Sequence, residues 1–353
     1  MVQIKKNIIL APYTVFQIGG SADFFCEANN KDELKEALSW ARGKNIPTFI
    51  LGGGSNVLVS DGGFRGLIVL NNIKGMSVFS RGDFSEITLG AGEEWDGFVK
   101  YAVEKGLAGV ECLSGIPGKV GAALMQNIGA YGQSMDKVFA RATVIDIKTG
   151  EEKIFQKQEC GFGYRTSRFK MTDRGRYVIS DVSFSLKPGG PLVLYHDLKN
   201  YFASSAKKPS LAEVRCAVLE IRNKKGMLVS GEGSFLKSAG SFFVNPVVTK
   251  EICDMLRPQA ATCNKIDPSQ CRDPWFWEQK NGRYKISAAC LMNLAGFKKG
   301  LRKGGVGISP HHTLALVNYG KATAREVMNF AEEIQNQVKN KFGIDLEIEP
   351  DII

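Results

Sequence analysis

Residues 114–132 read Ser-Gly-Ile-Pro-Gly-Lys-Val-Gly-Ala-Ala-Leu-Met-Gln-Asn-Ile-Gly-Ala-Tyr-Gly, and no other stretch restricts the fold as strongly. Glycines at 115, 118, 121 and 129, with small residues between them, leave the backbone bare, and Lys119 is the sole charge. A bare backbone lets N–H groups approach an anion closely, and glycine reaches the dihedrals such a loop needs. The interspersed Ile116, Val120, Leu124, Met125 and Ile128 mark a buried segment rather than a linker. A second glycine loop, Gly52-Gly53-Gly54-Ser55-Asn56, directly follows the apolar run Phe49-Ile50-Leu51. Two such loops suit a ligand with an extended pyrophosphate. Neither has G-x-G-x-x-G spacing and neither ends in Gly-Lys-Ser/Thr, so the usual dinucleotide and P-loop fingerprints are missing. Taken singly, the 52–56 loop reads first as a turn between strands; 114–132 has more small residues than a packed turn with a helix start needs.

At 353 residues the chain exceeds one small core, and two or three domains are expected. Hydrophobic content of 44% and charged content of 23% are those of a soluble globular protein. No stretch approaches the ~20 apolar residues of a membrane span. Lys5-Lys6 before Asn7–Ala11 faintly resembles a secretory leader, but the apolar run is short and Pro12 interrupts it. The segment reads as the first structured part of a cytoplasmic protein. Cysteines at 26, 112, 160, 216, 253, 263, 271 and 290 form no Cys-x-x-Cys pair and do not cluster with His196, His311 or His312. No metal centre is expected, and scattered thiols fit a reducing compartment. In an oxidising one, Cys263 and Cys271 are the pair that would join. The net charge of +10 attracts anions generally. Its basic pairs are dispersed and no nucleic-acid motif matches, so phosphate-bearing small molecules account for the excess as well as a solvated basic surface does.

Asn30-Lys31-Asp32-Glu33 predicts a capped helix with Leu34, Ala37, Leu38 and Ala41 on one face. Strands are expected at Thr48–Leu51, Val57–Val59 and Leu67–Leu70, closing a first unit over 1–75. A second unit, 76–225, opens with a strand at Ile87–Leu89 and a helix from Trp95 to Lys105. A hairpin over 142–156 turns at Thr149-Gly150, a half-buried strand spans Tyr177–Leu186, and a capped helix starts at Ser210. A third unit, 226–342, contains the glycine- and serine-rich stretch Met227–Gly240, placed as an active-site loop. Residues 257–283 read as an irregular excursion anchored by Trp275 and Trp277. Thr323-Ala324-Arg325-Glu326 caps the last helix, and a strand at Asp345–Glu349 lies in a tail, 343–353, that returns near the active site. The class is α+β.

Three further segments carry chemistry. Gly161-Phe162-Gly163-Tyr164-Arg165 sets a guanidinium among aromatics and glycines, suited to gripping a carboxylate bidentately. Ser238–Pro246 places Ser241 and Asn245 around a small-residue turn, with no Gly-x-Ser-x-Gly elbow. Leu346-Glu347-Ile348-Glu349-Pro350 alternates, so Glu347 and Glu349 share one face. By themselves Arg165 is a surface residue, Ser241 an ordinary turn hydroxyl, and the two acids solvated.

In order, these segments resemble one family, the UDP-N-acetylenolpyruvoylglucosamine reductases. The resemblance runs from Thr14–Gly20 through Leu51–Asn56, Ile116–Gly121, Gln126–Gly132, Phe162–Arg165 and Ala239–Pro246 to Glu349-Pro350. It implies a two-part flavin domain of the vanillyl-alcohol-oxidase (PCMH) type plus a C-terminal domain for the UDP-sugar. FAD would be held non-covalently by Leu51, Gly52, Gly53, Gly54, Ser55, Asn56 and Val57, and by Ser114, Gly115, Ile116, Pro117, Gly118, Val120, Gly121, Ala122, Gln126, Asn127, Gly129, Ala130 and Tyr131. NADPH would donate hydride, and the substrate would be UDP-N-acetylglucosamine enolpyruvate. Catalytic roles fall to Arg165, Ser241 and Glu349, and substrate contacts to Tyr164, Tyr195, Lys225 and Asn245. Leu192–Leu198 resembles the extra tyrosine-bearing segment of one type within the family. Val244 stands where similar sequences often carry a basic residue. The resemblance further implies a monomer, with no nucleic-acid or membrane partner. Two rivals remain: an alcohol or hydroxy-acid oxidase of the same fold, often tethering its flavin through histidine, and a non-catalytic nucleotide-sugar or nucleic-acid binder. No histidine precedes position 196, which weighs against a histidyl tether.

Overall fold

Asn30 caps the helix Lys31–Gly43 by accepting the Glu33 N–H at 2.9 Å. The Glu33 carboxylate reaches back to the Asn29 N–H at 2.8 Å, one residue beyond the expected reciprocal partner. All four residues of the expected stripe are buried, sharing a core with Cys26, Ala28, Leu67 and Val69. Those core residues belong to a four-stranded sheet ordered Lys5–Ile9, Ser21–Ala28, Phe64–Asn71, Thr48–Leu51. Its first pair is antiparallel and the other two are parallel. Parallel strands need crossover connections: the helix leads from Ser21–Ala28 to Thr48–Leu51, and residues 52–63 lead from there to Phe64–Asn71.

A second sheet is antiparallel throughout, ordered Glu152–Gln156, Phe139–Asp146, Tyr177–Pro188, Phe84–Gly90, Met76–Arg81. The hairpin expected over 142–156 is its first pair. The helix Trp95–Glu104 buries Trp95, Phe98, Val99, Ala102 and Val103, and Phe98 stacks on Phe184 with centroids 4.6 Å apart.

The computed structural model describes residues 1–228, 237–266, 275–279 and 281–353. They divide into two compact units. The first comprises Met1–Ile9, Ser21–Gly54 and Phe64–Asn223; the second comprises Leu10–Gly20, Ser55–Gly63 and Lys224–Ile353. Both sheets above belong to the first. Residues 10–20 and 55–63, grouped by sequence with 1–75, cluster instead with the C-terminal part. Hydrogen bonds account for this. Asp61 accepts from the N–H groups of Ala324 and Arg325 at 2.7 and 3.0 Å, and Asn318 donates to the Phe16 carbonyl at 3.1 Å. Val57–Leu58 pairs in parallel with Asp351–Ile352, and Phe16, Ile18 and Leu58 enter the second unit's core.

That core is completed by the helix Ala324–Phe342, opened by a reciprocal Thr323–Glu326 capping box and closed by Gly343 at φ 68°. Two expectations fail here. The helix Lys250–Ile266 continues through Pro258 into the stretch read as irregular. Residues 345–349 form only an isolated bridge, Phe243 with Ile348, and the strand is Asp351–Ile352. Part of the Met227–Gly240 loop and part of the 257–283 excursion lie outside the described residues, as does the Cys263–Cys271 pairing. Trp275 is 1% exposed, the anchor expected of it. Among the described residues no helix is long and apolar enough to cross a membrane, and no cluster could hold a metal ion.

Candidate functional site

In the first unit the two glycine loops meet. A Cβ on Gly53 would stand 2.9 Å from the Gly118 Cα, and one on Gly52 would stand 3.1 Å from the Ala122 Cβ. The approach of Gly53 to the Gly118 backbone requires glycine, while the Gly52 contact with the Ala122 side chain is tight. Gly54, Gly115 and Gly118 have φ of 60°, 68° and 118°. The loop is held from behind. Gly115 donates its N–H to Asp96 at 2.6 Å and receives Arg222 Nε on its carbonyl at 3.0 Å. The Val120 and Gly121 N–H groups go to the carbonyls of Glu93 and Ala91. Ser114, fully buried, spends its hydroxyl on the Glu111 carbonyl at 2.7 Å. The N–H groups of Ile116, Gly118 and Lys119 make no hydrogen bond among the described residues, and these are the ones the loop can offer to an anion.

Lys119 pairs with Glu94, and Lys74 lies close enough to feel it. Burial lowers the Lys74 pKa, and the Lys119 charge lowers it further. Lys74 in turn lies 3.8 Å from Glu93 and donates to the Gly92 carbonyl, so each ammonium has a carboxylate partner.

Asp96 grips Arg215 with two bonds of 2.7 Å. Burial opposes ionisation of Asp96, yet the Arg215 hydrogen bonds, the Gly115 N–H and nearby guanidinium charge hold its carboxyl below the ordinary range. Arg215 and Arg222 lie seven residues apart on one face of the helix Leu211–Lys224; Arg222 reaches the loop directly and Arg215 acts on it through Asp96. Burial lowers the Arg222 pKa, opposed by Tyr131 and Asp96, while the Arg165 charge adds to the lowering. Sequence reasoning missed Asp96, Arg215 and Arg222. A signal existed for the last: Arg222 continues the buried stripe of Leu211, Val214 and Val218, where an apolar residue is due.

The Arg165 turn is tied to the far end of the long loop. Asn127 donates to the Gly163 carbonyl at 3.0 Å and to Asp136 at 3.2 Å, and Ser167 donates to the Met125 carbonyl at 2.6 Å. Gly163 and Thr166 bridge the turn, and Arg165 takes φ 54° at its tip, a costly value for a residue with a Cβ. Tyr131, at φ 48°, is strained alike, whereas Asn127, at 46°, takes a conformation asparagine tolerates. The guanidinium of Arg165 lies 5.7 Å from the ring of the exposed Tyr164. Beside it the Thr166 hydroxyl is buried without a hydrogen-bond partner among the described residues. Tyr131 meets Tyr195 edge-on at 5.5 Å. Burial pushes both phenols up to about 12. Among the other expected contacts, Gly129 and Ala130 pair with Gln133–Ser134, and Gln126, Ile116 and Pro117 are half-buried.

The second unit holds the remaining expected residues. Val244 N–H donates to the Glu347 carbonyl and Glu349 N–H to the Phe242 carbonyl, both at 2.9 Å. With the Phe243–Ile348 bridge, these bonds run Ser241–Val244 antiparallel to 347–350 and bring Ser241 alongside the Glu349 stretch. Glu349 is buried at 8% exposure while Glu347 is exposed, so the two acids do not share a fate. Asn56 donates to the Glu349 carbonyl at 3.3 Å and accepts the Asp351 N–H at 3.0 Å. Leu51–Gly54 and Ser55–Val57, read as one loop, therefore belong to different units. Asn245 accepts the Ala288 N–H at 2.9 Å, and Lys225 is half-buried just past its helix.

Comparison with known proteins matches residues 22–155 to a family described as FAD binding domain. Residues 232–353 match the UDP-N-acetylenolpyruvoylglucosamine reductase C-terminal domain. The chain is 39% identical over 360 residues to the UDP-N-acetylenolpyruvoylglucosamine reductase of Thermobifida fusca, covering 99% of this chain and 97% of that protein. It is 37% identical over 353 residues to the Pseudomonas syringae pv. tomato enzyme of the same name, covering 99% and 98%. The solved reductase from Thermus caldophilus superposes with a TM-score of 0.65 at 24% identity, over 100% of this chain and 99% of that one.

Proposed function

The chain belongs to the UDP-N-acetylenolpyruvoylglucosamine reductase family, and from that premise we propose the reaction it performs and the residues that perform it. It reduces UDP-N-acetylglucosamine enolpyruvate to UDP-N-acetylmuramate for peptidoglycan, as a cytoplasmic monomer using NADPH. The observation that carries the reading is the contact of the two glycine loops, whose unused N–H groups fit a dinucleotide pyrophosphate. The buried, unpartnered Thr166 hydroxyl is a further polar group suited to a bound cofactor. Gly52, Gly53, Ile116, Gly118 and Lys119 would hold FAD non-covalently, and FAD when bound supplies hydride transfer from NADPH to C3 of the enolpyruvyl group.

Adding hydride to that alkene builds negative charge at C2 that delocalises into the substrate carboxylate. Arg165 faces that charge, and its strained tip position, tied by Asn127 and Ser167, aims a bidentate donor. Ser241 delivers the proton to C2. A hydroxyl is a weak acid, but the enolate is a strong base, so a positioned O–H suffices. Glu349, buried and next to the Ser241 stretch through main-chain bonds, is the third catalytic residue and helps Arg165 in that task. Tyr164, Tyr195, Lys225 and Asn245 contact the UDP-sugar.

The test is direct. The purified protein carries a flavin spectrum, acid or heat releases the flavin from the polypeptide, and NADPH oxidation accelerates on adding the enolpyruvyl UDP-sugar. A colourless protein, or flavin retained on the denatured chain, overturns the cofactor assignment.

A further inference from the structure

Glu111 is fully buried, and its carboxylate makes no ion pair among the described residues. It is satisfied by three N–H donors: Gly109 N–H on Oε2 at 2.8 Å, and Gln133 Nε2 and Leu192 N–H on Oε1 at 2.8 and 2.9 Å. Gln133 returns its Oε1 to the Cys112 N–H at 2.8 Å, and Cys112 Sγ donates to the Leu192 carbonyl at 3.2 Å. Both backbone groups of Leu192 are thus held by the side chains of two adjacent residues. The Glu111 main chain faces the other way. Its carbonyl accepts the Ser114 hydroxyl and N–H, where the long glycine loop begins.

Leu192 is three residues before Tyr195, whose ring rests on Tyr131 at the loop's other end. A buried carboxylate is expensive, and an apolar residue would fill the same volume without that cost. The carboxylate does what an apolar side chain cannot: it accepts at once from Gln133, the residue directly after the glycine loop, and from Leu192 of the tyrosine segment. We infer that Glu111 is a positioning residue for substrate, fixing the Tyr195 segment in register with the glycine loop through Leu192. The inference rests on the reading that Tyr195 contacts the UDP-sugar.

Glu111→Gln keeps the shape but offers one acceptor oxygen to three donors. The expected variant retains FAD with the wild-type spectrum. Its KM for UDP-N-acetylglucosamine enolpyruvate rises about tenfold, the scale of one lost buried hydrogen bond, with kcat nearly unchanged. Hydrogen exchange across 190–200 accelerates while the strand 139–146 stays protected. Cys112→Ala raises KM less, and Cys112→Ser, which restores a donor to Leu192, recovers it; this pair decides the matter where Glu111→Gln does not fold. A fall in kcat at constant KM, or exchange accelerating equally in both segments, overturns the proposal. Wild-type protein that fails to turn over the sugar sinks the functional reading instead, and the exchange contrast still decides the clamp.

Discussion

The glycine-loop region of the first unit and the Ser241–Glu349 region of the second are built on opposite principles. The loops work by lacking side chains: Gly53 admits Gly118 at a distance a Cβ would forbid, and a Cβ on Gly52 would have only a tight 3.1 Å to the Ala122 Cβ. Asp96, Arg215 and Arg222 then fix the bare chain from behind. In the second unit the side chains carry the chemistry. There, main-chain bonds between 242–244 and 347–349 align two segments about a hundred residues apart. One region is sensitive to added atoms, the other to lost functional groups.

The largest expected effect is in the second region. Ser241→Ala should leave reduction of the flavin by NADPH nearly intact and slow its reoxidation by the enolpyruvyl substrate ~10²–10⁴-fold, the range for general acid catalysis. Rapid-mixing traces in which both half-reactions slow equally would erase the contrast, pointing to lost cofactor.

Gly53→Ala should do the reverse. Its methyl meets backbone, not a flexible side-chain end, so about 1–3 kcal/mol of strain is expected, with weakened FAD retention. Gly62→Ala, whose nearest neighbour would be Ser60 Oγ at 4.0 Å, is the matched control. Thermal midpoints and bound flavin per chain compare the two; equal loss in both would break the close-approach argument.

A pH scan sharpens the account of the loop's support. Asp96 is held below its unfolded value, about 3.9, so its contribution is present above that pH and disappears as pH falls through the folded value. Asp96→Asn should therefore start less stable at neutral pH and lose less on acidification. Superimposable acid limbs for variant and wild type would mean the Arg215 pair contributes nothing to the loop.

The smallest effect concerns the placement of residues 55–63. Asp61→Ala removes the acceptor for two N–H groups at the start of the last helix, costing about 1 kcal/mol. Hydrogen exchange should quicken at the first turn of 324–342 and leave the helix 95–104 unchanged.

Local signals were legible. The helix faces over 34–41 and 95–103, the hairpin over 142–156 and the Thr323 cap follow from periodicity and capping chemistry that neighbours in sequence carry by themselves. The two glycine loops and the ordered motifs were enough to point to the family. The stretch from 257 misled: the helix Lys250–Ile266 runs on through it, carrying Pro258 at an exposed position despite the lost backbone donor. Alternation at 346–349 misled too: next to the Phe243–Ile348 bridge Glu349 is buried while Glu347 remains outside.

Sequence alone determined where the chain is bare, where it turns helical and which residue types carry charge and protons. Tertiary structure decided which segments stand together. It joined Gly53 to Gly118 and Ser241 to the Glu349 stretch, split 51–57 between two units, and recruited Asp96, Arg215, Arg222 and Glu111 as supports. The physical reason is that a helix face or a cap is encoded within one or two turns of chain. A buried ion pair or a strand register is chosen by the burial and hydrogen-bond satisfaction of residues far apart in sequence.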